Sequence, residues 1–171
     1  MKKHSSYLRA ALSSVALAAL ILATGLPAAS ISGQPNSFVY PLVGTRISSK
    51  FGLRNHPIYH VSKHHGGIDL AAPSGAPVRA IAPGVVIFAD PYAGYGNLVV
   101  VRHGGGMTSH YGHLKEIKVR PGQKVLPGQI LATVGATGHV TGPHLHFEVR
   151  LDGKTQNPEN YIKGLALEAA G

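Results

Sequence analysis

From Phe38 onward the apolar positions come in short runs, each cut off by glycine or proline. Val78–Ile81, Val85–Phe88, Leu98–Val101 and Gln129–Val134 each predict a strand of four to six residues. Turn signals stand between them at Pro73-Ser-Gly75, Pro83-Gly84, Gly104-Gly-Gly106, Pro121-Gly122, Pro127-Gly128 and Thr141-Gly-Pro143. The segment His144–Arg150 alternates with a period of two. His144, His146, Glu148 and Arg150 fall on one face, and Leu145, Phe147 and Val149 on the other. After the first thirty residues no twelve-residue window holds the 3.6-residue apolar period of a helix. Short strands at this spacing, with no helices between them, predict an all-β domain of antiparallel strands in a sandwich or barrel. It is expected to run over residues 38–162, with 163–171 as a small C-terminal tail.

The N-terminal end follows a different pattern. Met1–Arg9 is short and basic, Ala10–Leu26 is uncharged, and small residues follow at Ala28, Ala29 and Ser30. That order predicts a secretory signal peptide over residues 1–30, cleaved after Ser30, with 31–37 as a short linker. The alternative is an uncleaved anchor, because 17 uncharged residues can just cross a bilayer core of about 30 Å. Gly25 and Pro27 break such a helix early, and no charge halts it afterwards. Both readings export the rest of the chain, to the periplasm or cell envelope.

With 44% apolar and 13% charged residues the chain is expected to fold rather than stay disordered. The absence of cysteine excludes disulfides, thiolate metal sites, a thiol nucleophile and a lipidated cysteine. Lys plus Arg number 16 against 7 Asp plus Glu, a formal charge of +9; beyond the first ten residues the balance is 13 against 7. The cations are scattered, with no basic run, so the charge does not point to nucleic acid. It suits attraction to an anionic envelope, weakened by salt.

Eleven histidines are the unusual count, and they are grouped. On the predicted last strand, His144 and His146 stand about 6 to 7 Å apart at the backbone, so one can bind a metal while the other sits a water's distance away. Upstream, His65 and Asp69 flank Gly66-Gly67, and a flexible turn lets a nitrogen and a carboxylate four residues apart converge. Two histidines and one carboxylate leave a fourth tetrahedral position open, which is what a catalytic zinc needs. His110-Tyr-Gly-His113 offers further imidazoles.

Gly66-Gly-Ile-Asp-Leu-Ala-Ala-Pro73, Tyr111-Gly-His-Leu114 and Gly138-His-Val-Thr-Gly-Pro-His-Leu-His-Phe-Glu-Val149 together resemble the lysostaphin/LytM family of zinc metallopeptidases, which cut peptide bonds of bacterial cell-wall peptidoglycan. Arg54-Asn-His-Pro57 resembles a segment seen in many members, and the likeness runs from about Ser49 to Tyr161. The resemblance implies a barrel-sandwich of the duplicated-hybrid-motif kind. It implies one zinc held by His65, Asp69 and His146, with His113 and His144 as catalytic histidines beside it. Which of these two is the base stays open, with His144 favoured for its place beside His146. Glu148 is either a carboxylate orienting a ligand's second nitrogen or an exposed strand residue paired with Arg150. His56 is a candidate groove residue, and Tyr59 a candidate contact to the reacting carbonyl. His139 is expected to border the cleft, His64 to face away from the metal, His103 to serve as a turn residue and His110 to point to solvent.

Ala82-Pro-Gly-Val-Val86 and Val119–Ala132 also look like pieces of biotinyl or lipoyl carrier domains. A carrier needs a lysine at the following hairpin, and Val134-Gly-Ala-Thr-Gly138 has none. A second alternative, a non-catalytic wall-binding activator, sits poorly with a complete ligand set. The partners expected are peptidoglycan peptide stems and a regulatory envelope protein, with the chain a monomer. Among cross-links, D-Ala–diaminopimelate is preferred, because the Arg-x-His-Pro form is familiar from Gram-negative relatives.

Overall fold

A computed structural model describes residues 38–55 and 62–162. The predicted signal segment, the linker, the C-terminal tail, His56 and Tyr59 all lie outside the described residues. Among the described residues no helix is long and apolar enough to cross a membrane.

Among the described residues twelve strands follow in order: β1 Arg46–Ser49, β2 Gly52–Asn55, β3 Ser62–His65, β4 Ile68–Ala71, β5 Pro77–Arg79, β6 Gly84–Pro91, β7 Asn97–Arg102, β8 Met107–Ile117, β9 Lys124–Val125, β10 Ile130–Val134, β11 His144–Leu151 and β12 Lys154–Gln156. Ten of them form one antiparallel sheet with the path β1-β4-β11-β8-β7-β6-β9, in which β10 joins β8 to β5 and β12 pairs with β11. β2 and β3 make a separate ribbon. The all-β, antiparallel expectation holds.

The alternation of β11 is realised as read. Leu145, Phe147 and Val149 are fully buried, and Phe147 packs against Tyr111 of β8 with ring centroids 5.4 Å apart. Ile68 and Leu70 of β4 and Met107 and Leu114 of β8 enclose the same core. Each such side chain removed from water contributes about 1.5–3 kcal/mol, which ties the three site-bearing strands together. The opposite face of β11 is left for chemistry.

The longest strand, β8, departs from its neighbours' register at one point. Asn97 of β7 faces Leu114 and Val99 faces Tyr111, so Gly112 and His113 stand together opposite the single Leu98. This bulge lets Tyr111 and Leu114, three residues apart, both reach the core. It also turns His113 out of the sheet, with φ at +62°. A left-handed conformation in a residue with a Cβ costs about 1–3 kcal/mol and survives only where the surroundings enforce it.

Candidate metal centre

β3 ends at His65, Gly66-Gly67 reverses the chain, and β4 carries Asp69 as its second residue. The reversal needs glycine at 67. A Cβ there would collide with the Phe147 carbonyl oxygen and stand 2.8 Å from Glu148 Cγ. Gly67→Ala is therefore expected to destabilise the fold by about 1–3 kcal/mol. It should also weaken zinc retention, because β4 can no longer lie flat on β11. Thermal melts and metal analysis of the variant check this, and an unchanged melting temperature would contradict the close approach.

β4 pairs with β11 so that Asp69 lies directly opposite His146. The result is a tight cluster: Asp69 Oδ1 is 2.9 Å from His146 Nδ1 and 3.1 Å from His65 Nε2, and the two nitrogens are 3.1 Å apart. Their other ring atoms decide the tautomers. His65 Nδ1–H donates to the Lys50 carbonyl oxygen at 2.9 Å, which leaves Nε2 as a lone pair. His146 Nε2–H donates to Glu148 Oε1 at 2.9 Å, which leaves Nδ1 as a lone pair. Two lone pairs and a carboxylate thus face one another, an arrangement that repels itself unless a cation sits among them. Ligands at about 2.0–2.1 Å from a tetrahedral ion lie roughly 3.3 Å apart, so this triangle needs to open by only a few tenths of an ångström for zinc. Among the described residues these three form a group that can hold a metal ion. The electrostatics agree. Burial would raise the Asp69 pKa, but the His146 and His65 rings set against it hold it well below the usual carboxylate range. Burial would lower that of His146, but the Asp69 and Glu148 carboxylates on its two sides raise it to about 9, so a positive charge, supplied by a proton or by a metal ion, is favoured at Nδ1.

Glu148 is not the exposed strand residue of one sequence reading; its side chain is buried. Both proposed partnerships occur together. Oε1 receives His146 Nε2–H and, at 2.8 Å, the Tyr95 hydroxyl; Oε2 receives Arg150 Nε–H at 2.8 Å and forms an ion pair with Nη2 at 2.6 Å. Burial would raise its pKa, but the His146 bond and the Arg150 charge bring it down to about 2. Tyr95, which the sequence reading missed, lies over Gly112, where a Cβ would stand 3.2 Å from its ring.

His113 and His144 sit beside the cluster with ring centroids 4.8 Å apart. His113 Nδ1–H donates to the Thr137 carbonyl oxygen and His144 Nδ1–H to that of Gly142, each at 2.9 Å. Both rings therefore keep an Nε2 lone pair. That of His144 lies 3.8 Å from Asp69 Oδ1. Burial lowers the His113 pKa to about 4 despite the Thr137 bond, so its ring is neutral at ordinary pH. All five residues line one cleft of about 670 Å³, walled also by Tyr95, His139 and His64. His139 borders the cleft as expected. His64 also lines its wall, with its exposed ring edge-on to Phe51.

Two histidines correct the sequence reading. His110 does not point to solvent: it is buried on β8 opposite Glu148, because β8 has a strand on either side there. His103 is more than a turn residue. It is buried, donates Nδ1–H to the Pro83 carbonyl at 2.8 Å, and has Nε2 2.8 Å from Ser109 Oγ. This serine–histidine pair is structural, since neither residue lines the cleft.

Burial lowers the pKa of His103, that of His110 to about 3 and that of His113 to about 4. The folded chain then stays neutral where the unfolded chain binds protons. Stability from these groups is full above the unfolded value of about 6.5 and drains as pH falls toward the folded values, by up to about 1.4 kcal/mol per pH unit for each. The melting temperature of the zinc-free protein is expected to fall steadily from pH 7 to pH 4.5. A flat profile would contradict the burial of uncharged imidazoles.

A family model described as peptidase family M23 matches residues 63–158. The DD-carboxypeptidase/endopeptidase Mpg of Neisseria meningitidis is 50% identical over 120 residues, covering 70% of this chain and 28% of the relative. A zinc-containing peptidase from Vibrio cholerae matches in structure with a TM-score of 0.69 at 38% identity, over 72% of this chain and 39% of that one. The catalytic domain of the antimicrobial peptidase lysostaphin from Staphylococcus simulans matches with a TM-score of 0.63 at 29% identity, over 70% of this chain and 93% of that domain. The chain spans about a quarter of the length of such curated relatives. A cleft built on two imidazole lone pairs and a carboxylate, carried by the segment that the family model matches, leads to one assignment: the chain belongs to peptidase family M23.

Proposed function

We propose that this chain is an exported zinc-dependent endopeptidase that hydrolyses peptide cross-links of bacterial peptidoglycan. One observation carries the reading: His65 Nε2, His146 Nδ1 and Asp69 Oδ1 converge as three potential metal-ligand atoms, with two further imidazoles facing the same cleft. A purely wall-binding activator has no need of that set. The printed activities of similar proteins, DD-carboxypeptidase/endopeptidase and peptidoglycan DD-endopeptidase, favour D-Ala–diaminopimelate cross-links over glycyl bridges. The basic excess of the chain supports work in an anionic envelope, and the signal-like first thirty residues support export.

Zinc held by His65, Asp69 and His146 would polarise the scissile carbonyl and make water a competent nucleophile near neutral pH. The chain supplies the rest. Water adds to the carbonyl carbon, the C–N bond breaks, and the leaving amine needs a proton. His144 Nε2 is the proton acceptor we favour, because the nearby Asp69 carboxylate stabilises the imidazolium that forms. His113, buried and neutral, offers its Nε2 lone pair to orient the attacking water or the departing amine. Glu148, fixed by Tyr95 and Arg150, keeps the His146 proton on Nε2 and so its Nδ1 aimed inward. The direct test is digestion of purified sacculi followed by mass spectrometry of the muropeptides. Cross-linked dimers are expected to disappear as monomers gain one water per bond cut; intact dimers would overturn the proposal.

A further inference from the structure

The hairpin that a carrier domain would use to present a lysine is employed differently here. Val134-Gly-Ala-Thr-Gly138 folds against the bulge of β8 and grips it twice. The Thr137 backbone carbonyl receives His113 Nδ1–H at 2.9 Å, and the Thr137 hydroxyl donates to the carbonyl of the next residue, Leu114, at 2.8 Å. The same hydroxyl accepts the Asn97 backbone N–H at 2.9 Å, and the Asn97 side-chain amide donates to the Leu114 carbonyl at 3.0 Å and to that of Lys115 at 3.3 Å. Three glycines let these segments touch. A Cβ at Gly96 would run into Thr137, one at Gly138 into Gly94 and Gly96, and one at Gly135 into the backbone of residues 113–115. The one residue of β8 with a left-handed backbone is His113, directly before the clamped carbonyl.

We propose that Thr137, braced by Asn97, is the positioning residue for His113, holding its strained backbone and fixing the imidazole as the Nδ1–H tautomer with Nε2 free for the cleft. The side-chain hydroxyl sets the place of the carbonyl that reads the tautomer. Serine keeps that bridge, whereas valine, of nearly the same shape, removes it. This proposal rests on His113 serving the reaction, but the tautomer it predicts does not.

The test compares Thr137→Val, Thr137→Ser and His113→Ala with the wild-type chain, all loaded with zinc and normalised to bound metal. For Thr137→Val, kcat for cross-link cleavage is expected to fall about ten- to a hundredfold with KM within twofold, and Thr137→Ser to stay within about threefold of wild type. In ¹⁵N spectra the His113 ring is expected to show one Nδ1–H tautomer in the wild type and Thr137→Ser, and a mixture in Thr137→Val. Where Thr137→Val does not fold, Asn97→Ala removes the brace alone and is expected to lower kcat about tenfold with the same mixture. Wild-type kcat together with an unmixed His113 tautomer in these variants would overturn the proposal. Full turnover in His113→Ala, or no peptidase activity in the wild type, would overturn the catalytic reading instead, and the ring spectra would still decide whether Thr137 positions His113.

Discussion

His146→Ala, Asp69→Ala and His65→Ala are each expected to lose zinc and cross-link cleavage together. Each removes one corner of a triangle whose atoms stand 2.9 to 3.1 Å apart, and two corners cannot close a tetrahedral site. Loss of a residue that merely orients a ligand typically costs 10- to 100-fold in metal affinity, so loss of a ligand is expected to exceed about 100-fold. The three differ in what they leave behind. Asp69→Ala also removes the carboxylate beside His144, so added zinc should rescue it least. Metal analysis after dialysis, beside an activity assay, reads both quantities, and full zinc in any of the three variants would place the metal elsewhere.

The second large effect separates binding from chemistry. His144→Ala and His113→Ala are expected to keep one zinc and the fold while lowering kcat by about 10²- to 10⁴-fold, the usual worth of a positioned proton-transfer group. Neither Nε2 is engaged by the metal triangle, and each ring is anchored through Nδ1 to a backbone carbonyl that the substitution leaves in place. Of the two, His144→Ala is expected to lose more, because it forfeits the acceptor beside Asp69. Zinc loss in either variant would show a ligand mistaken for a proton carrier.

How much of this was legible in the sequence varies by element. β11 was, because a half-buried strand writes its two faces as alternation, and there the apolar set is unbroken from Leu145 to Val149. The turn at Gly66-Gly67 was also legible, since two glycines between a histidine and a carboxylate mark a reversal. β8 was not. Its sequence from Thr108 to Lys115 is rich in polar and ionisable residues, which reads as a histidine cluster rather than as the longest strand. Strands on both sides bury it regardless, and this is why His110 was misread as solvent-facing. Tyr95 and Thr137 lay beyond reach for another reason. Each acts across some 24 to 53 residues of chain, through contacts that only the close passage of three glycine-bearing segments creates. Gly135 and Gly138 were visible in the hairpin after Val134, but nothing in a hairpin names its neighbour.

The central claim is that His65, Asp69 and His146 make cleavage of peptidoglycan cross-links depend on one zinc per chain. The most direct measurement strips the protein with a chelator, returns zinc in sub-stoichiometric steps and follows release of uncross-linked muropeptides from sacculi. The account predicts negligible cleavage without metal, a linear rise, and a plateau at one equivalent. Cleavage that persists undiminished in the stripped protein would contradict it.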